Sequence, residues 1–340
     1  MQQAQIPQAG LEEKIQFLTN PDSYSERPEQ IKLIETHFSI VVLSGNTVLK
    51  MKKPVKTDFI DLRSFEARTF CIKEELRLNR RLAPDTYLGI IPIYHNYKGL
   101  NFRGEGEIAE WLVKMCQLPA DKMLDYRIKN NTVTTEDLMH TAIILSTFYL
   151  NAKPEIVVWK NLRQRMEQEV ESYKNIVNEL TNKTDTARLA DTIYKSLLDF
   201  IKNNSKLFEE RIAEGKYIEG HGDLRPEHIC LTNPPQIFDC LEFDKSLRII
   251  DPAEELAFLA MECDFLGAAW VGQMIIDNYQ KYTLDNIPST LISFYKTKRA
   301  FLRAKLTAAH LLEQQYTQSD HWEQKAQKYI QLGHNYLLHF

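Results

Sequence analysis

Short runs of β-branched and apolar residues open the chain, and apolar residues at helical spacing occupy most of the remainder. Residues 30–37, 40–44 and 47–52 are three short apolar runs; Gly45-Asn46 makes a turn between the last two and Pro54 closes the third. This pattern predicts a compact antiparallel meander. Ser64 is placed to cap a helix running to about Leu82, with Phe65, Phe70, Ile72, Leu76 and Leu78 spread widely around its axis, and Ala83-Pro84 stops it. Residues 90–94 and 108–115 supply two more strands, so the first third reads β-β-β-α-β-β.

From Leu118-Pro119 the period changes. Residues 135–150, 156–180, 187–201 and 206–214 carry apolar side chains at helical spacing. The charges of the helix at 160–177, among them Arg163, Arg165, Glu167, Glu169 and Glu171, read as a solvated face. One non-helical island, 219–251, interrupts the run, with apolar strands at 228–231 and 236–238 flanking Asn233-Pro234-Pro235. Helices resume at Pro252. The longest apolar stretch, 256–276, contains Glu262 and Asp264 and so predicts a buried helix, not a membrane span. The expected organisation is α+β in two lobes, β-rich over 1–117 and mainly helical over 118–340, without internal repeats.

Composition narrows the class. With 44% apolar and 26% charged residues the chain is neither disordered nor fibrous. Its 42 basic and 46 acidic side chains give a formal charge of −4, which argues against nucleic acid or an anionic membrane as partner. Five cysteines, odd in number and without a C-x-x-C pair, suggest neither a disulfide framework nor a thiolate zinc site, and fit a reducing cytoplasm. The opening Met-Gln-Gln-Ala-Gln lacks the basic and apolar regions of a signal peptide.

The densest chemistry is the string His221-Gly222-Asp223-Leu224-Arg225-Pro226-Glu227-His228. A histidine and an aspartate in a short loop punctuated by Gly and Pro, just before a strand, stand where a scaffold carries catalytic groups. His221-Gly222-Asp223-Leu224 matches the H-G-D-L catalytic loop of the aminoglycoside phosphotransferase-like branch of the protein kinase-like fold, and residues 250–257, Ile-Asp-Pro-Ala-Glu-Glu-Leu-Ala, look like the D-P-x-x-D-L-A helix start of that family. The stretches 35–39, 50–55, 74–84 and 238–243 resemble a bacterial subgroup of these phosphotransferases, some of which carry a P-loop ATPase domain; the signature G-x-x-x-x-G-K-[ST] is not found here.

The resemblance implies a kinase that moves the γ-phosphoryl group of ATP, with Mg²⁺ or Mn²⁺, to a hydroxyl of a small molecule. ATP would lie under residues 36–52 and the acceptor among the helices of the second lobe. Phosphoryl transfer needs positioning and charge neutralisation more than covalent chemistry. Asp223 would orient the acceptor hydroxyl, His221 would brace the loop, and Arg225 would bind an anion or pair with Glu227. Lys50, with Lys52 on the same strand face as its fallback, would hold the phosphates, and Glu75 would pair with the lysine. Ser39 with backbone amides would replace a glycine-rich phosphate grip, and the backbone of Met115 and Gln117 would read adenine at the hinge. Asp239 would bind the metal, with Glu242 as the alternative. His228 departs from the pattern: it stands where the family carries Asn, and imidazole is the poorer ligand for Mg²⁺. Two other readings remain open at this point. One is a nucleotide-binding pseudokinase; the other is a metal-dependent hydrolase using His221, Asp223, His228 and Asp239. Asp251 and Glu255 read as caps of the Pro252 helix.

Overall fold

A computed structural model describes residues 9–57, 60–180, 184–309 and 319–340. The first five residues, read above for targeting, lie outside the described residues. Contacts divide the chain into two compact units, residues 1–120 with 236–244, and 121–235 with 245–340.

The first unit is built on a six-stranded antiparallel sheet of β1 (Ile31–Glu35), β2 (Ser39–Ser44), β3 (Thr47–Lys52), β4 (Tyr87–Asn96), β5 (Gly99–Asn101) and β6 (Glu107–Cys116), in the order β1-β2-β3-β6-β4-β5. The meander forms as the pattern requires: Gly45, at φ 58°, makes the tight turn that pairs Ser44 with Thr47. Alternation along β3 then divides its side chains. Leu49 and Met51 join Leu18, Ile40, Val42, Ile93 and Leu112 on the face covered by α1 (Leu11–Thr19). Val48 joins Ile72, Tyr87, Val113 and Met115 on the face covered by α2 (Phe65–Asn79). By the same period of two, Lys50 and Lys52 leave β3 toward α2. Ser64 caps α2, its hydroxyl accepting the Ala67 N–H at 3.1 Å. Neither α1 nor β5 was expected.

The second unit is helical. It comprises α3 (Leu124–Lys129), α4 (Thr135–Asn151), α5 (Trp159–Leu180), α6 (Thr184–Asn203), α7 (Ser205–Ala213), α8 (Pro252–Phe265), α9 (Ala269–Thr283), α10 (Ser289–Ala309) and α11 (Ser319–Tyr336). Aromatic packing joins several of these, with Phe200 stacked on Phe294 at 4.5 Å and Trp159 on Phe208 at 5.0 Å. The apolar stretch 256–276 is not one helix: α8 ends at Phe265, and Gly267, at φ 81°, turns the chain into α9. No helix among the described residues is long and apolar enough to cross a membrane.

The island at 219–251 is apportioned between the units. β7 (Ile218–Glu219), β8 (Ile229–Cys230) and β10 (Ile249–Ile250) belong to the helical unit, and β9 (Gln236–Ile237) to the sheet unit. The expected division carried all of 118–340 with the helices, but 236–244 packs on the sheet unit through specific bonds. Thr86 Oγ1 donates to Gln236 Oε1 at 3.2 Å, and the Cys240 N–H donates to Asn79 Oδ1 at 2.9 Å. Of the five cysteines, Cys116 at the end of β6 is exposed and the other four are buried.

Candidate active site

In the sheet unit, β3, α2 and the segment 236–244 bring together five charged side chains. Lys50 Nζ lies 2.8 Å from Glu75 Oε1 and 2.7 Å from Asp239 Oδ1. Lys52 Nζ lies 2.6 Å from Glu75 Oε2 and 2.6 Å from Glu242 Oε1. Glu75 is wholly buried on the inner face of α2, where a charge persists only if it is paired. Burial alone pushes its carboxyl up, but Lys50 and Lys52 outweigh burial and hold it below the ordinary glutamate value. For Lys50 burial works downward; Asp239 and then Glu75 override it and keep the ammonium well above the ordinary lysine value. Lys52 is likewise raised, by Glu242 and Glu75 against the pull of burial.

Asp239 sits just beyond β9 at φ 64°, a left-handed conformation that Asp tolerates better than most residues and that is enriched at functional sites. Its N–H donates to the Tyr87 hydroxyl at 3.4 Å. Its side chain is 40% exposed, against 10% for Glu242. Ser39 is buried; its hydroxyl accepts from Lys52 Nζ at 3.4 Å and its N–H donates to Thr36 Oγ1 at 3.0 Å. At the hinge, Met115 packs in the core, the Cys116 N–H donates to Thr86 O at 2.9 Å, and the Gln117 N–H donates to Asn46 O at 2.9 Å. The Gln117 N–H is therefore engaged within the sheet unit.

In the helical unit the loop from Gly220 to His228 is braced from behind. Glu255, one turn into α8, accepts the Gly222 N–H at 2.6 Å through Oε1 and the Tyr149 hydroxyl at 2.8 Å through Oε2. Burial raises its carboxyl despite these bonds. Glu255 therefore ties down the loop instead of capping α8. Asp251 does cap, accepting the Ala253 N–H at 2.8 Å, and is also gripped by Arg211 at 2.6 and 2.7 Å. His221 is buried; its Nδ1 accepts the Asp223 N–H at 3.3 Å and its ring stacks on His228 with centroids 5.9 Å apart.

Asp223 projects from this loop half-buried, with Arg225 Nη2 3.0 Å from Oδ2. Burial pushes its carboxyl up; Arg225 above all more than reverses this, so the group lies below the usual aspartate value. Arg225 also pairs with Glu227. His228 Nδ1 is 2.8 Å from the Asp223 carbonyl and Nε2 is 3.2 Å from Arg225 Nη2. A carbonyl only accepts and a guanidinium only donates, so this geometry is that of a ring protonated on Nδ1. Among the described residues no group of three or more His, Cys, Asp or Glu side chains is placed to hold a metal ion.

Sequence reasoning thus named Lys50, Lys52, Glu75, Asp239 and Glu242, which form one cluster, and His221, Asp223, Arg225 and His228, which form another. It missed Tyr87 and Asn79 beneath the first and Tyr149 beneath the second. A signal for Glu255 did exist: Gly220 precedes the loop, and glycine is what a closely approaching side chain requires.

With this geometry in view, the chain was compared with known proteins. No family profile matches it. Uncharacterized proteins of Mycobacterium tuberculosis and Mycobacterium bovis are 31% identical over 280 residues, 81% of this chain and 54% of each relative. The chain thus spans about half the length of the curated relatives it matches. Among solved structures, the GDP complex of aminoglycoside 2'-phosphotransferase-IIIa superposes with a TM-score of 0.52 at 14% identity, over 91% of this chain and 93% of that one. A choline/ethanolamine kinase family protein from Mesorhizobium loti gives 0.52 at 10% identity, over 96% of this chain and all of that one (100%). The chain has a protein kinase-like two-lobe fold, as these structures do. In that fold the sheet unit is the N-lobe, and the helical unit is the C-lobe.

Proposed function

We propose that this protein belongs to the aminoglycoside phosphotransferase-like family and transfers the γ-phosphoryl group of ATP to a hydroxyl of a small molecule. The observation that carries the reading is the Lys50–Glu75–Asp239 constellation, a buried carboxylate fixing one lysine beside a half-exposed aspartate. Lys50 is fully charged at neutral pH and, beyond the donors that face Glu75 and Asp239, has one more for a phosphate oxygen. Asp223 would accept a hydrogen bond from the acceptor hydroxyl and aim its oxygen at phosphorus. Its low basicity suits orientation better than early proton removal. The Glu255 bonds hold the loop so that this aim costs no reorganisation.

The donor set was tested for Mg²⁺. Mg²⁺ binds through one or two carboxylates, waters and substrate phosphates, not in an all-protein cage. Asp239 fits, being an oxygen donor that faces Lys50 yet keeps 40% of its side chain exposed; Glu242, at 10%, is enclosed beside Lys52, and both ring nitrogens of His228 are engaged. Asp239 would therefore hold the ion, which when bound neutralises charge on the phosphates.

The test is nucleotide binding with Mg²⁺ or Mn²⁺ by thermal shift, followed by ADP release over a panel of hydroxyl compounds. Asp223→Ala is expected to lower turnover by about 10²- to 10⁴-fold while leaving nucleotide bound. Asp239→Ala should abolish metal-dependent nucleotide binding. No binding with either metal sinks the reading. The direct pairing of Arg225 with Asp223 favours a second one, a nucleotide-binding module without transfer. Binding without turnover under either metal, indifferent to Asp223→Ala, would select it.

A further inference from the structure

Two lysines of β3 share one carboxylate. Glu75 gives Oε1 to Lys50 and Oε2 to Lys52, and Lys52 is held from its other side by Glu242 at 2.6 Å and by Ser39 Oγ at 3.4 Å. Lys50 keeps 13% of its side chain exposed, whereas Lys52 keeps 2%. Lys52 is thus too enclosed to meet an incoming phosphate. An ion pair buried this deeply gains little stability over an apolar pair of the same volume, since desolvation offsets most of the attraction. Its presence calls for a use.

We infer that the Lys52–Glu242 pair is a positioning device for the phosphate-binding lysine: by occupying one oxygen of Glu75 it limits Lys50 to the other. This rests on the phosphotransferase reading. A carboxylate with both oxygens free would close on the Lys50 ammonium with two contacts and draw it toward α2. Held by Lys52, the same carboxylate can give Lys50 a single contact, and the remaining N–H donors stay directed toward Asp239 and, in turn, toward a phosphate. Glu242 completes the device by balancing the second lysine, so that Glu75 is not asked to neutralise two cations alone. The roles read for these residues from sequence, a fallback phosphate ligand and an alternative metal ligand, are replaced by a mechanical one.

The experiment compares the full chain with the variant Lys52→Met/Glu242→Leu, which exchanges the pair for apolar side chains. Binding of Mg·AMPPNP is measured by calorimetry and folding by thermal melting. The expected result is a melting temperature equal to or above that of the unaltered protein and a Kd weakened on the order of tenfold, as for loss of a well-directed charged hydrogen bond. A pair that served only structure would move the melting temperature and leave the Kd alone, and that result overturns the inference. Should the double variant fail to fold, Lys52→Gln decides in its place. It keeps a donor but removes the charge, and a weakened Kd supports the inference while an unchanged one overturns it. If the unaltered protein does not bind Mg·AMPPNP, the phosphotransferase reading falls and takes this inference with it. If it binds and the variants bind equally well, the inference alone falls.

Discussion

At Gly220 a methyl group would have no room. A Cβ there would crowd the Glu255 carboxylate and come within 2.6 Å of Ile250 Cγ2, while the Gly220 N–H is pinned to Arg248 O at 2.8 Å and cannot retreat. Glu255 cannot yield freely either, because Gly222 and Tyr149 both hold it. Gly220→Ala is therefore expected to cost about 1–3 kcal/mol in urea unfolding, and to slow the proposed transfer by releasing the loop that carries Asp223. Residue identities at this scale were legible where a short motif names them, as with His221, Asp223 and Lys50. Glu255 was not, because a glutamate in the first turns of a helix reads locally as a dipole partner, and only the tertiary approach of Gly222 shows otherwise. The same holds for Glu242: alternation along β3 puts Lys50 and Lys52 on one face, but nothing local says which acid, far along the chain, will meet Lys52.

Helix α8 is buried on nearly every side, so its interior charges must be balanced by neighbouring elements. Glu254 meets Lys298 at 3.2 Å and Arg299 at 2.9 Å on α10, and Lys298 reaches Glu169 of α5 at 2.8 Å. Burial would raise the Glu254 carboxyl, but Lys298 and Arg299 prevail and lower it from 4.5 to about 2. Because the folded value is depressed, the group adds stability above the unfolded pKa and loses it as pH falls from about 4.5 toward 2. The full contribution is about 3 kcal/mol, with about 2 kcal/mol gone by roughly pH 3. Glu254→Gln should accordingly show a shallower fall in urea midpoint between neutral and acid pH. Elements with strong local punctuation were legible, including the meander turned at Gly45-Asn46 and α2 begun at Ser64. The insertion of β6 between β3 and β4 was not, since strand order in a sheet is decided by pairing and leaves no mark in the linear pattern. The break at Gly267 was hidden because apolar residues continue across it.

Across the whole molecule, the chain leaves the sheet unit at residue 120 and comes back to it for 236–244. That return supplies Asp239 and Glu242, without which Lys50 and Lys52 would share a single buried carboxylate. A fragment of residues 1–120 should therefore melt lower than the same fragment extended through a flexible linker by residues 236–244, as circular dichroism would record. The two-lobe division was legible in the change from β-branched runs to helical spacing, but the return was not. The segment 236–244 is short, and its allegiance depends on Asn79, Thr86 and the two lysines, which no periodicity links to it. The cysteines offer a use that needs no substrate. With Cys116 exposed and the other four buried, a thiol reagent should label the native protein quickly at one position and slowly at the rest. The slow phase would then time the rare openings of the interior, and repeating it with nucleotide present would reveal how much a bound ligand quiets them.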